Sequence, residues 1–124
     1  MKTAQDYMAE ANAVVPRLTA AEAVSVHAAN SGVFVDVRDS GAIAQTGTIA
    51  GAQRVARGML EFMADSNHDL HNKALQKDAA IYLICAAGGQ AALAGKTLHD
   101  MGFSNVTNIG GFGDWKEAGG PTEV

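Results

Sequence analysis

Ile81-Tyr82-Leu83-Ile84-Cys85-Ala86-Ala87-Gly88-Gly89-Gln90-Ala91-Ala92-Leu93 is the stretch that decides the fold. Its first five residues are an unbroken apolar run. Such a run reads as a strand buried on both faces, the habit of parallel sheets. Ala86 to Gly89 reads as a loop. Gln90 to Met101 reads as a helix, with Gly102 as its C′ residue. Strand, glycine-bearing loop and helix thus follow one another with Cys85 at the junction.

Outward from that segment, strand and helix signals alternate. Residues 3–15 read as a helix, because Tyr7, Met8, Ala11, Val14 and Val15 recur at helical spacing, and Pro16 ends it. Thr19-Ala20-Ala21-Glu22 is a capping box that starts a second helix at about Ala20. It runs to Ala29, where Asn30-Ser31-Gly32 stops it. Val33 to Arg38 is a strand. Residues 39–47 are ambiguous, a weak helical turn between Gly41 and Gly47. Ile49 to Val55 holds a short strand, and residues 57–65 read as a helix. Ser66 to Lys77 is polar, with weak helical character near its end. Val106 to Ile109 is a last short strand, Gly110 to Gly113 a turn and Asp114 to Ala118 a terminal helix. This alternation argues for an α/β fold with a parallel sheet.

The composition fits one domain. The chain has 124 residues, 48% hydrophobic and 18% charged, which is globular rather than disordered. Nine Lys+Arg against 13 Asp+Glu give a formal charge of −4, so no nucleic-acid or membrane partner is expected. The single cysteine excludes an intramolecular disulfide and any zinc site needing two thiolates. Asp6 and Glu10 fall where the apolar core of a secretory leader would lie. No apolar run approaches the ~18 residues of a membrane span. A reduced, cytoplasmic setting is the expectation.

Cys85 is the candidate reactive group. In open α/β sheets, ligands sit beyond the carboxyl ends of the strands, and Cys85 stands at such an end. The backbone N–H groups of Ala86, Ala87, Gly88, Gly89 and Gln90 lead into a helix N-terminus, which favours an anion. Gly88 and Gly89 let the loop curl around the sulfur. A thiolate favoured in that cradle is a better nucleophile at neutral pH. The bland alternative is a core cysteine that merely ends a strand.

Four segments in order then resemble the rhodanese domain: Phe34-Val35-Asp36-Val37-Arg38-Asp39; Gly47-Thr48-Ile49-Ala50-Gly51-Ala52; Ile84-Cys85 through Ala94; and Gly110-Gly111-Phe112-Gly113-Asp114-Trp115. Arg57-Gly58-Met59-Leu60-Glu61-Phe62 also resembles a subgroup of single-domain rhodaneses. The resemblance covers about residues 17–121. It leaves residues 1–16 as a helical extension and 122–124 as a tail. It implies a rhodanese-like α/β fold, a parallel central sheet of about five strands with helices on both faces. It also implies sulfur transfer through a persulfide on Cys85, with residues 86–90 as the active-site loop. The expected reactants are a small sulfur donor such as thiosulfate and a cyanide or thiol acceptor. No cofactor or metal is implied. The resemblance further makes Arg57 a candidate rim cation, although Arg57 and Glu61 also fit an ordinary i,i+4 pair. It gives Asp36 and Arg38 the role of holding the active-site loop, against a plain surface ion pair. The N-terminal helix either caps the domain or pairs with a second subunit as a homodimer.

The departures from the family pattern are Thr48 and Ala50, where His and Pro are usual, and Gln90-Ala91, where the loop usually ends Arg-Ser. Thr48 and Gln90 keep a second class open: a non-catalytic binding module, or a persulfide carrier serving one protein partner. Cysteine phosphatases of related fold need an Arg six residues after the cysteine, and position 91 is Ala. Gly95-Lys96-Thr97 lies inside a helix and lacks the upstream glycine of a phosphate-binding loop. Gly111-Phe112-Gly113 lacks the third glycine of a dinucleotide site. His68 and His71 lie near no thiol and no fixed pair of carboxylates, so they read as solvated. Phe112 and Trp115 read as core anchors.

Gln90 carries a direct test. An amide brings no charge to the loop, whereas a guanidinium would form a charge-assisted bond to a sulfonate group. The difference is roughly 0.5–2 kcal/mol, so Gln90→Arg should raise kcat/KM for thiosulfate about two- to thirtyfold. The gain should shrink with added salt. Steady-state kinetics at two ionic strengths check it, and unchanged turnover would mean that charge at the loop is not limiting.

Overall fold

The computed structural model describes all 124 residues. The chain runs α1 (Ala4–Val14), α2 (Ala20–Ala28), β1 (Val33–Asp36), α3 (Ser40–Thr46), β2 (Thr48–Ile49) and β3 (Gln53–Arg54). A 3₁₀ turn (Arg57–Met59), α4 (Leu60–Ala64), β4 (Ile81–Cys85), α5 (Gly89–Asp100), β5 (Val106–Gly111), α6 (Phe112–Glu117) and β6 (Thr122–Glu123) follow. Four strands form the central sheet in the order β3-β1-β4-β5, all parallel. No helix is long and apolar enough to cross a membrane.

Strand periodicity divides the core. Val35, Val37, Ile81, Leu83 and Cys85 face one side, where they pack with Leu60, Ala91, Ala94 and Leu98 of α4 and α5. Phe34, Ile84 and Ile109 face the other, against Ala23 of α2 and Phe112 and Trp115 of α6. Helices therefore cover both faces, and β4 is buried on both, as its unbroken apolar run predicts. Phe112 and Trp115 are core residues at 3% and 1% exposure.

The sheet has four strands rather than about five. Beyond β5 the chain adds only a single parallel bridge, between Arg17 and Asn108. Two backbone bonds make it, Asn108 N–H to Pro16 O and Leu18 N–H to Asn108 O. It cannot lengthen, because Pro16 has no N–H to donate and Thr19 already caps α2. In both capping boxes the acidic side chain accepts the cap residue's N–H, Asp6 from Thr3 and Glu22 from Thr19. These backbone bonds hold both carboxyls below their ordinary pKa. Their contribution is present at neutral pH and is lost as the pH falls through those lowered values.

Other expectations shift locally. The ambiguous residues 39–47 contain α3. Residues 66–77 form turns without a helix. The residues read as a tail form β6, antiparallel to β2, and Pro121 O accepts from Ala50 N–H and Trp115 Nε1–H. Docking on Trp115 and β2 orders this end, which no local pattern in Pro121-Thr122-Glu123 announces. The N-terminal helix packs on α5, with Ala11 fully buried.

Asp36 and Arg38 are neither a surface pair nor ties to the loop after Cys85. Asp36 is fully buried and Arg38 is 6% exposed. The Arg38 Nη2 lies 2.7 Å from Asp36 Oδ2, which also accepts from Thr48 Oγ1 at 2.7 Å. Arg38 further donates to Thr46 Oγ1 and Gly47 O, each at 2.8 Å, and its guanidinium stacks over Phe112. The pair therefore fixes the 46–48 segment onto the end of β1. Removing one member leaves the other charged and buried, which typically costs about 3–5 kcal/mol. Asp36→Ala should lose stability of that order in urea unfolding. A loss below about 1 kcal/mol would show that water replaces the carboxylate.

Candidate active site

The site begins with the end of β4. Cys85 follows Ile81 and Leu83 on the α5 face of the sheet and is 2% exposed. Its Sγ accepts the Gly88 N–H at 2.9 Å and the Ala91 N–H at 3.3 Å. These donors belong to the loop and the first turn of α5, whose N–H groups have no partner within the helix. Two N–H dipoles aimed at one sulfur favour negative charge there.

Loop geometry depends on two glycines. Gly88 is the N-cap of α5 at φ +99°, a left-handed conformation that L side chains rarely adopt. Gly111 lies where a Cβ would stand 2.5 Å from Ala86 O and 3.2 Å from the Ala87 Cα. The end of β5 therefore passes directly beneath the loop, at a distance only glycine allows.

Asn108 locks the two together. It is fully buried, and its Nδ2 donates to Gly88 O at 3.0 Å. Its Oδ1 accepts the Gly110 N–H at 2.8 Å. One amide thus holds both the loop and the strand terminus. The sequence reading passed over Asn108, although a single amide inside Val106-Thr107-Asn108-Ile109 is the kind of polar intrusion that needs a partner.

Arg17 was also missed. Its Nη2 comes within 3.3 Å of the point where a Cβ of Gly88 would sit, and within 3.8 Å of that of Gly110. With the intervening bond lengths, this guanidinium lies within about 9 Å of the Cys85 sulfur. It is exposed, and it is the arginine without an ion-pair partner: Arg38, Arg54 and Arg57 pair with Asp36, Glu123 and Glu61. No sequence signal brings position 17 to position 88; the Arg17–Asn108 bridge does.

The other named residues spread around the loop. Ala86, Ala87 and Gln90 are exposed, Gly89 is half-buried and Gly88 buried. Arg57 makes the i,i+4 pair with Glu61 at 3.0 Å and also donates to Thr97 Oγ1 at 2.9 Å. It therefore sits beside α5, with no hydrogen bond to residues 86–90. No cluster of three or more His, Cys, Asp or Glu side chains could hold a metal ion.

Comparison with known proteins agrees with this geometry. Residues 19–118 match the model of the Rhodanese-like domain family. No curated protein matches the chain. Among solved structures, a protein of unknown function from Rhodopseudomonas palustris CGA009, described as a possible tyrosine phosphatase, is 40% identical. The similarity covers 99% of this chain and 96% of that one, with a TM-score of 0.92. The polysulfide-sulfur transferase homodimer of Wolinella succinogenes is 29% identical over 94% of this chain and 83% of that one, with a TM-score of 0.73. A rhodanese-like domain from Anabaena sp. is 28% identical over 87% and 78%, with a TM-score of 0.72. With the matched segment spanning both β4 and the loop that follows it, the chain belongs to the Rhodanese-like domain family.

Proposed function

We propose that this protein is a sulfurtransferase that carries a sulfane sulfur on Cys85, from an anionic donor such as thiosulfate to a cyanide or thiol acceptor. The observation that carries this reading is the pair of backbone N–H groups on the Cys85 sulfur. The Cys85 thiolate attacks the outer sulfur of the donor. The new S–S bond forms as the donor's own S–S bond breaks, and sulfite leaves with the electron pair. Gly88, Ala91 and their neighbours in residues 86–90 hold the persulfide anion. The acceptor then takes the outer sulfur and restores the thiolate. Two displacements on one sulfur predict ping-pong kinetics.

Cys85 is almost fully covered, so a reactant has to present a slender atom, as a terminal sulfur does. Arg17 supplies positive charge beside Gly88, where relatives are expected to carry it in the loop at position 90. Within about 9 Å of the sulfur, its attraction for a dianion is only partly screened at physiological salt. The dephosphorylating alternative needs a guanidinium at position 91. Ala91 is instead fully buried, and its N–H is spent on the Cys85 sulfur. A free thiol in this role suits a reduced, cytoplasmic setting.

Incubation with thiosulfate should add one sulfur atom to the intact protein, mapped to Cys85 by mass spectrometry. Cys85→Ser should keep its circular dichroism and gain none, because an alcohol forms no persulfide. Thiocyanate production from cyanide by Cys85→Ser would overturn the mechanism.

Gly111→Ala tests the loop geometry separately. A methyl group there meets backbone at Ala86, so the loop must shift off the sulfur. Sulfur loading should slow by about a hundredfold, the scale of an ångström-sized misplacement. Gly113→Ala, whose Cβ meets nothing within 4 Å, is the control and should load at the native rate. Equal loading by both variants would show that the close approach of β5 has no bearing on the sulfur.

A further inference from the structure

The largest cavity is a groove of about 590 Å³ between α1 and α5. Tyr7 and Met8 of α1 line one side, and Leu93 and Thr97 of α5 the other. The two helices close on each other at the far end, where Ala11 is fully buried and Val15 rests on Gly95. Toward the first turns of α1 the space opens. Such a volume suits a small-molecule site rather than a packing defect.

Three observations say what the groove would take. Its wall reaches Gly89, the residue after the Gly88 whose N–H meets the Cys85 sulfur, and the space where a Gly89 Cβ would point is empty. Its body is apolar: Tyr7 is half exposed, with Met8 and Leu93 beside it. Its charged groups are already matched, Glu10 with Lys2, Arg57 with Glu61 and Lys96 with Asp100. A groove with no unmatched charge favours a neutral occupant, since a charged one would lose water without gaining a partner. Leu93 lies one helical turn and Thr97 two turns from Gly89, about 6 and 12 Å along the axis. One wall, α1, also lies outside residues 19–118 matched by the family, so the groove is an addition to the domain.

We infer that this groove binds the sulfur acceptor, a neutral organic thiol with an extended apolar body, and aims its sulfur at the loop. The inference rests on the sulfurtransferase reading. The neutral acceptor thiol passes its proton to the terminal sulfur of the Cys85 persulfide anion, and its own sulfur attacks that terminal sulfur. A new S–S bond forms, and the Cys85 Sγ–S bond breaks with its electron pair left on Sγ. The acceptor departs as a persulfide, carrying the proton of the terminal S–H, and the thiolate stays with the Gly88 and Ala91 N–H groups. No outside oxidant or reductant is needed.

The test is a series of mercaptoalkanols of similar acidity, from 3-mercaptopropanol to 6-mercaptohexanol, offered to the thiosulfate-loaded protein. Each added methylene should raise kcat/KM two- to fourfold, as burial of apolar surface on an open wall implies. Tyr7→Glu and Met8→Glu should flatten that dependence. Tyr7 is exposed, so its replacement leaves the fold intact. A flat series in the native protein, or a slope that persists in both variants, overturns the inference. A flat series together with a dimer in sedimentation would assign the groove to a second copy and overturn it equally. Sulfur loading of Cys85 is read in the same samples by mass. No loading strikes the sulfurtransferase reading itself, whereas loading with a flat series strikes the groove alone.

Discussion

The Asn108 side chain is the joint on which the site depends. Its amide donates to Gly88 O and accepts from Gly110 N–H, and its own backbone takes part in the Arg17 bridge. A buried amide left unpaired costs a large share of a small domain's stability, so each partner is strongly specified. Through this residue, three segments far apart in the chain share one set of hydrogen bonds. The left-handed turn at Gly88 is held from outside the loop, which lets the loop keep its N–H groups for the sulfur rather than for itself.

Sheet register does the rest of the positioning. Side chains alternate across a strand, so a shift of one residue in β4 would carry Cys85 from the α5 face to the α6 face. The pairing of Val33–Asp36 with Ile81–Ile84 fixes that register. The β4–β5 pairing slips between Leu83 and Cys85, so that Cys85 lies opposite Gly111 rather than the Gly110 that unbroken register would place there. The irregularity at the strand end and the clearance required by the loop are the same feature.

The buried Asp36–Arg38 pair does different work from the loop. A buried ion pair is weak evidence for net stability, because desolvation offsets much of the attraction. Its value here is directional. Arg38 reaches the Thr46 hydroxyl and the Gly47 carbonyl, and Asp36 takes the Thr48 hydroxyl. That fixes β2, which in turn receives β6. The chain end is thus ordered through a charge pair on the opposite side of the sheet from α5.

Local signals sufficed wherever the cause was local. The apolar run Ile81–Cys85, the capping box at Thr19–Glu22 and the stop at Gly102 each specify their own backbone, and each stands where it was read. The placement of Cys85 at a strand end before a helix N-terminus was legible for the same reason, since strand, loop and helix are contiguous. Nothing in sequence spacing could bring Arg17 or Asn108 to Gly88, or seat β6 on β2, because those contacts exist only after the sheet is assembled. The same holds for Asp36 and Arg38: their pairing is visible in the sequence, but what they hold is decided by the path of the chain through residues 46–48. Hydrogen bonds within a few residues are dictated by the residues themselves. Those between distant segments are dictated by which buried polar groups the packed sheet leaves in need of a partner.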